Sequence, residues 1–209
     1  MVEPGFDGPL TARLEGSLVT LEPFAEEHRE GLWEAAQADE IWTWLTKLNE
    51  SRDLFDAWFD ATLATNAAGE GAPTETGAFA IRRNADGLLV GSSRYLAVRR
   101  YDRVVEIGWT WFNPVVWRTG VNVETKLLMF AHAFETLGCV RVELKTDARN
   151  EHSRGAMTRL PARFEGILRK HKIVPDVGQR DTAYFSVIDD EWPAVRAALE
   201  QRLTAAPRG

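Results

Sequence analysis

The segment from Val105 to Gly138 limits the fold of this chain most, because it predicts a strand, a short loop and a helix in immediate succession. Alternation along the strand places its side chains on two faces. One face carries Val105, Ile107, Trp109 and Trp111, and the other carries Glu106, Gly108 and Thr110. Asn113-Pro114 ends the strand, because proline cannot donate to a β-ladder.

The helix after this loop begins at Gly120 and ends at Gly138, which suits the C′ position. Its apolar residues recur at spacings of three and four and form one stripe. They are Val123, Leu127, Phe130, Phe134 and Leu137. A glycine loop at a helix N-terminus offers free backbone N–H groups and the positive end of the helix dipole, so it suits a phosphate group. A single glycine is weak evidence, and an ordinary strand–helix connection has the same pattern.

The rest of the chain predicts alternating strands and helices around this unit. Before it, we expect a strand at Gly16–Pro23, helices at about Ala25–Ala38 and Ser51–Ala68, and a meander of Phe79–Arg83, Leu88–Val98 and Arg103–Phe112. Gly69–Gly77 is expected to be a solvated loop. After it, we expect a strand at Cys139–Lys145, a helix from about Thr146 to Leu160, a hairpin of Arg163–Lys172 and Arg180–Ile188, and a final helix over Asp190–Leu203.

Length and composition predict one domain. The chain has 209 residues, of which 44% are hydrophobic, enough for one substantial core. We expect an arm over residues 1–13, a domain over residues 14–189, and a C-terminal helix and tail over residues 190–209. One cysteine excludes an intrachain disulfide, and the N-terminus lacks the pattern of a secretion signal, so we predict a cytoplasmic protein. The histidines show no metal-site spacing, which predicts no metal.

Four motifs together resemble the GNAT acetyltransferase superfamily, and most closely the branch that contains the ribosomal-protein N-terminal acetyltransferases. They are Glu106-Ile-Gly-Trp-Thr-Trp111, Trp117-Arg-Thr-Gly-Val-Asn-Val-Glu124, Arg149-Asn-Glu-His-Ser-Arg154 and Asp181-Thr-Ala-Tyr-Phe-Ser186. The resemblance covers about residues 14–189. It implies a single-domain α/β fold with a central, mostly antiparallel mixed sheet flanked by helices, here with an extra C-terminal helix. It also implies acetyl transfer from acetyl-CoA to a primary amine by direct attack.

The resemblance assigns the acetyl-CoA site to three segments. The backbone of Trp109, Thr110, Trp111 and Phe112 would pair with the pantetheine arm. The loop formed by Arg118, Thr119, Gly120, Val121, Asn122 and Val123 would bind the pyrophosphate. Asn150 and Ser153 would contact the pantetheine arm and the thiol or phosphates, although helix capping is the alternative for both. Trp117 and Asn122 depart from the usual Gln/Arg-x-x-Gly-x-Gly/Ala pattern, and Pro161 stands where relatives usually carry glycine.

Acetyl transfer needs a proton acceptor for the amine and a donor for the leaving thiolate. Glu106 is the predicted base, and a cross-strand ion pair is the alternative role for this residue. Ser153 and Tyr184 are the predicted groups near the thiol, although a half-buried strand tyrosine is often only structural.

The predicted acceptor wall contains Trp42 and Trp44, with a core position as the alternative for each. The acceptor would be an amine-bearing small molecule or a protein N-terminus. The formal net charge of −6 argues against nucleic acid, and no apolar run is long enough for a membrane partner. A homodimer stays open. The departures at Trp117, Asn122 and Pro161 motivate one alternative function, a non-catalytic acyl-CoA-binding or interaction module.

Overall fold

The computed structural model describes residues 8–67, 75–174 and 178–205. Within them, eight strands form one sheet in the order β1-β2-β3-β4-β5-β6-β8-β7. The strands are β1 Leu14–Glu15, β2 Val19–Pro23, β3 Gly77–Arg83, β4 Leu89–Arg99, β5 Val104–Phe112, β6 Arg141–Asp147, β7 Arg163–Val174 and β8 Gly178–Ile188. The α-helices are α1 Arg29–Ala35, α2 Arg52–Ala67, α3 Val121–Ala131, α4 Glu151–Arg159 and α5 Trp192–Ala205. Residues 1–7 of the predicted arm, most of the predicted loop Gly69–Gly77 and residues 206–209 of the predicted tail lie outside the described residues.

The predicted fold class is confirmed. Neighbouring strands are antiparallel except for β5 and β6, which are parallel, so the sheet is mixed and mostly antiparallel. Parallel neighbours need a crossover connection, and α3 is the helix of that crossover. The C-terminal helix α5 packs against α3 and the turn that follows it, where the Trp192 ring stacks on Phe134 with a centroid separation of 5.4 Å.

The sheet separates two apolar cores. One core contains Val105 and Ile107 of β5, Met129 and Phe130 of α3, and Leu199 of α5. The other lies under α1 and α2 and contains Leu32, Phe55, Phe59, Ala78 and Trp111. Alternate side chains of the central strands lie in the two cores, because successive strand side chains point to opposite faces.

A β-bulge in β5 changes the predicted alternation. Ser92 pairs with Trp111 and Arg94 pairs with Gly108, so Trp109 and Thr110 together oppose Ser93. Trp109 has a φ of 48°, which is unusual for a non-glycine residue. The extra residue moves Trp111 into the core under α2, whereas Val105 and Ile107 lie in the core under α3. The prediction that Val105, Ile107, Trp109 and Trp111 share one face is therefore wrong beyond Gly108.

Two residues of the apolar stripe predicted for this helix pack against α5. Phe130 and Phe134 contact Trp192 of α5 at centroid separations of 6.1 and 5.4 Å. Buried positions of α3 also include polar residues, namely Glu124, Thr125 and Lys126. The helix ends in a π-helical turn over His132–Thr136 before Gly138, whose φ is 67°. Periodicity of apolar residues alone therefore gave only part of the buried face of α3.

The sheet opens between β5 and β6. Their parallel pairing joins Val104–Glu106 to Arg141–Glu143 and stops there. Beyond this point β5 continues to Phe112 and β6 to Asp147 without pairing to each other. Two strands that diverge in this way leave backbone N–H and C=O groups of both strands facing the gap, where an extended ligand could pair with them.

Candidate active site

The N-terminus of α3 lies directly after the open end of β5. A 3₁₀ turn over Pro114–Val116 connects the two, and Gly120 is the N-cap of the helix with a φ of 91°. No side chain caps this terminus, so the first N–H groups of α3 have no partner within the helix. The geometry suits an anion, as the glycine loop predicts. It does not test the assignment of Arg118, Thr119, Gly120, Val121, Asn122 and Val123 to acetyl-CoA.

Two side chains of this loop form hydrogen bonds to the backbone of the same strand–helix connection. The Trp117 indole donates to the carbonyl of Phe112 at 2.9 Å, and the Thr119 hydroxyl donates to the carbonyl of Val116 at 2.7 Å. Arg118 is exposed and has a φ of 66°. Trp117, which departs from the family pattern, thus braces the turn between β5 and α3.

A buried glutamate anchors the first turn of α3 to the N-terminal strands. Glu124 accepts hydrogen bonds from the backbone N–H groups of Ser17, Leu18 and Val19 at 2.6 to 2.9 Å, and from the Ser17 hydroxyl. A carboxylate near a helix N-terminus also interacts favourably with the helix dipole. These bonds hold the helix terminus in place beside the opening.

A second helix terminus lies at the same edge of the sheet. Because β5 and β6 are parallel, the loops after both strands leave the same edge, and α4 begins after β6 as α3 begins after β5. Asn150 is buried and caps α4, its Oδ1 accepting from the N–H of Ser153 at 2.9 Å. The capping alternative for Asn150 is therefore realised, and a cofactor role for Asn150 and Ser153 stays a prediction.

Glu106 forms a cross-strand ion pair. Its Oε2 lies 2.7 Å from Nζ of Lys145, and both side chains are about nine-tenths buried. Glu143, on the same strand as Lys145, approaches that nitrogen at 3.6 Å. Burial lowers the pKa of Lys145, but its interactions with Glu106 and Tyr184 outweigh burial and raise it overall. The ion-pair alternative for Glu106 is thus present, and its role as a base stays a prediction.

Tyr184 continues this polar face of the sheet. Nζ of Lys145 lies 4.6 Å from the centroid of the Tyr184 ring, and the Tyr184 hydroxyl is 3.1 Å from Nε2 of His171. Nδ1 of His171 is 3.1 Å from the hydroxyl of Thr182. Burial and the charges of nearby cations, Lys172 and Lys145 among them, lower the pKa of His171, so its neutral form is favoured.

His171 is a residue that the sequence interpretation missed. The hairpin of β7 and β8 brings it to Tyr184, and two register shifts in that hairpin make the pairing unpredictable from alternation. Among the described residues, Glu106 and Tyr184 share Lys145 as a neighbour, whereas no hydrogen bond links Ser153 to either of them.

Arg94 is a second residue that the sequence interpretation missed. It lies on β4 opposite Gly108, its relative exposure is 8%, and its guanidinium contacts the rings of Trp58 and Trp109. Burial lowers its pKa to about 10, so it remains protonated at neutral pH. The sequence feature that could have identified Arg94 is a single arginine within the otherwise uncharged predicted strand Leu88–Val98.

The two tryptophans of the predicted acceptor wall have different surroundings. Trp42 is 2% exposed, its indole donates to the carbonyl of Ala36 at 2.9 Å, and its ring packs on Trp111. Trp42 is therefore a core residue here, because a buried indole with a satisfied N–H has no surface to offer a ligand. Trp44 is 44% exposed, and its ring lies 5.9 Å from the guanidinium of Arg149. Of these two tryptophans, Trp44 is the one with an exposed ring surface, and its contact with an acceptor stays a prediction.

A mixed sheet that opens between two parallel strands, with a helix starting beyond each of them, is the arrangement that the sequence motifs imply for an acetyltransferase. The family model for the acetyltransferase (GNAT) domain matches residues 19–163. A GCN5-related N-acetyltransferase from Brucella melitensis is 31% identical, with 97% of this chain and 90% of that chain covered and a TM-score of 0.86. The chain therefore belongs to the GNAT acetyltransferase family and is an acyltransferase.

More distant solved structures share the fold. RimJ from Mycobacterium smegmatis, solved in complex with CoA-disulfide, is 21% identical over 92% of this chain and 91% of that chain, with a TM-score of 0.72. The GNAT-family acetyltransferase from Bacillus anthracis is 17% identical over 86% of this chain and 100% of that chain, with a TM-score of 0.67. No curated protein sequence matches this chain. None of the helices in the described ranges is long and apolar enough to cross a membrane.

Proposed function

We propose that this protein transfers an acetyl group from acetyl-CoA to a primary amine by direct attack. The observation that carries the proposal is the gap between β5 and β6, with uncapped N–H groups of α3 at its end. Free strand edges suit the amide-bearing pantetheine arm, and a helix N-terminus suits the pyrophosphate. The complex of M. smegmatis RimJ with CoA-disulfide, which has the same fold, supports this assignment.

The reaction balances without a metal or a redox step. The amine nitrogen attacks the thioester carbonyl carbon, a C–N bond forms and the C–S bond breaks. The ammonium form of the acceptor loses two protons overall, of which one ends on the thiol of CoA and the other in solvent. Glu106 is the proposed first acceptor, directly or through water, and Tyr184 is the proposed donor to the thiolate. Backbone N–H groups near the bulge at Trp109 would stabilise the oxyanion.

The acceptor amine would reach the thioester from the polar face of the sheet, where Glu106, Lys145 and Tyr184 lie. Trp44, which is exposed and lies 5.9 Å from the guanidinium of Arg149 just after the end of β6, is the proposed apolar wall. A small-molecule amine and a protein N-terminus both meet these requirements, because each presents one primary amine.

The proposal is tested by measuring how substitutions in the loop before α3 change the affinity for CoA. Gly120→Val should weaken CoA binding at least about tenfold in calorimetry, because a β-branched residue disfavours the positive φ and blocks close backbone approach. Gly138→Val is the matched control, since Gly138 also has a positive φ but lies beyond the opposite end of the helix that Gly120 begins. Equal affinity of both variants for CoA, or no binding to the wild type, would refute the assignment.

A further inference from the structure

Among the described residues Arg94 is the one buried arginine, and it has no ion-pair partner there, whereas several more exposed arginines do. Arg82 pairs with Glu22, Arg141 with Glu165, and Arg149 with Asp147, each at 2.8 Å. No carboxylate of the described residues forms an ion pair with Arg94, although it is more deeply buried than these. A buried cation without a partner costs free energy, so such a site favours an anion supplied from outside.

The guanidinium of Arg94 has donors to spare. Nη2 donates to the hydroxyl of Thr62 at 3.1 Å, and Nε is buried with no hydrogen-bond partner among the described residues. The rings of Trp58 and Trp109 lie 5.6 and 5.5 Å from its central carbon, so two aromatic side chains from different elements hold it in place. A fixed guanidinium with free donors is the geometry that recognises a carboxylate with two parallel hydrogen bonds.

The position of Arg94 connects it to the proposed site of acetyl transfer. Arg94 pairs with Gly108, and Leu96 pairs with Glu106, so Arg94 and Glu106 are diagonal neighbours on β4 and β5. Diagonal neighbours in a sheet lie about 7–8 Å apart at the backbone. Gly108 between them has no side chain, and a Cβ there would come within 2.9 Å of Leu96 and 3.2 Å of Glu106. The glycine keeps the space beside Glu106 open.

We propose that Arg94 binds a carboxylate of the acceptor, so that the substrate is a primary amine that also carries an acidic group. This inference rests on the proposed function, since it assigns an acceptor to the same site. The amine would lie toward Glu106 and the carboxylate toward Arg94, which matches opposite charges at the two ends of a small zwitterion or of a peptide N-terminus with an acidic residue.

The test compares acceptors that differ only in the carboxylate. Phenylalanine, phenylalaninamide and phenethylamine form one set, and leucine, leucinamide and 3-methylbutylamine form a second. Asp-Ala-Ala-amide and Asn-Ala-Ala-amide form a peptide pair, which separates a free amino acid from a peptide as the source of the carboxylate. We expect the wild type to acetylate acids of at least one source with a kcat/KM roughly tenfold or more above their uncharged partners, as measured by mass shift.

Variants assign that preference to the guanidinium. In Arg94→Met the acid should fall to about the level of its amide, while the amide changes little and the CoA affinity is kept. Arg94→Lys, which keeps the charge without the fork, should retain part of the preference. Arg83→Met is the control for loss of an arginine from the sheet, because Arg83 pairs with Asp86 in a turn away from the site.

Equal rates for acid and amide in the wild type would overturn the inference while leaving acetyl transfer intact. Loss of all acceptors by one common factor in Arg94→Met would also overturn it, because that result marks a structural role. If the panel yields no acetylated amine, calorimetry of the wild type with the acids, amides and amines decides. Acid binding that Arg94→Met removes would sustain the carboxylate site, and absence of acid binding would end it.

Discussion

At the scale of single residues, the candidate site is distinguished by buried charges with unequal surroundings. Glu106 and Lys145 neutralise each other at 2.7 Å, whereas Arg94 has no carboxylate partner among the described residues. Lys126, on α3, is buried and donates to the hydroxyl of Thr110 at 2.7 Å. A buried charge is unfavourable unless it is paired, so Arg94 and Lys126 should respond to substitution differently from the paired Glu106 and Lys145.

The role of Glu106 can be separated from its ion pair. If Glu106 accepts the proton of the amine, Glu106→Gln should lower kcat roughly a hundredfold or more at neutral pH, with unchanged CoA affinity. Glu143→Gln is the matched control, because it removes the other carboxylate near Lys145 and leaves the 2.7 Å pair in place. A similar, small loss in both variants, with ordinary pH–rate profiles, would assign catalysis to positioning and to another proton acceptor.

Lys126 predicts a pH dependence of stability. Burial lowers its pKa from 10.5 to about 7, so between these values the unfolded chain binds more protons than the folded one. The free energy of unfolding therefore rises with pH across this window, whereas below it both states are protonated, so the free energy no longer changes and the full cost of burying the charge is present. In Lys126→Met, which keeps Thr110 bonded to Ser93, that rise should be smaller by a few kcal/mol.

The measurement is urea unfolding of the wild type and Lys126→Met at about pH 6.5, 8 and 9.5. We expect Lys126→Met to be the more stable protein at the lowest pH and its advantage to shrink as the pH rises. A constant difference between the two proteins at all three pH values would show that Lys126 keeps an ordinary pKa.

At the scale of elements, α3 depends on a contact far away in sequence. Glu124 in its first turn accepts three backbone N–H groups from Ser17–Val19 as well as the Ser17 hydroxyl. Gly16 permits this approach, since a Cβ at that position would lie 2.5 Å from the Glu124 carboxylate. The proposed pyrophosphate site and the N-terminal strands are therefore one structural unit.

Removal of the Glu124 carboxylate should destabilise the whole domain. Glu124→Ala leaves three backbone N–H groups without an acceptor, which we expect to cost about 3–5 kcal/mol. For a domain of this size that corresponds to a fall in Tm of roughly 6–20 °C in a thermal melt. Glu151→Ala, an exposed change in the first turn of α4, is the control and should have little effect. A Tm loss no larger than that of the control would contradict the anchoring role.

At the scale of the whole molecule, the opening between β5 and β6 is bordered by both cores of the domain. The core under α3 contains Val105 and Val142, and Trp111 beyond the bulge lies in the core under α2. We expect these packed side chains to oppose further pairing of the two strands, because it would move some of them out of their core. A ligand that pairs with the open edges would therefore stabilise the protein without a change of fold.

Acetyl-CoA should report this stabilisation directly. At about a hundredfold excess over its Kd, a ligand that binds only the folded state adds about 2.7 kcal/mol, which should raise Tm by roughly 5–10 °C. Hydrogen exchange should slow within residues 107–112 of β5, at the amides that face away from β4. The amides of β2 and β3 serve as the internal reference. Protection confined to β2 and β3, or a Tm that does not move, would place the cofactor elsewhere.

Local pattern was enough to predict most elements of this protein and its family. The element boundaries at Pro114, Gly120 and Gly138 have local causes, because proline lacks an N–H donor and glycine permits a positive φ. The alternation in Cys139–Lys145 is also local, because it follows the two-residue period of a strand. The motifs of the strand–loop–helix unit led to the correct superfamily for the same reason, since they lie within a few residues of one another in the sequence.

The arrangement of the site was decided only by tertiary structure. The bulge at Trp109 depends on pairing with β4, so alternation along β5 alone placed Trp111 on the wrong face. The burial of Trp42 but not Trp44, the pairing of Glu106 with Lys145, and the isolation of Arg94 each depend on segments distant in sequence. Propensity and periodicity contain no information about such neighbours, because burial and charge pairing are properties of the packed chain.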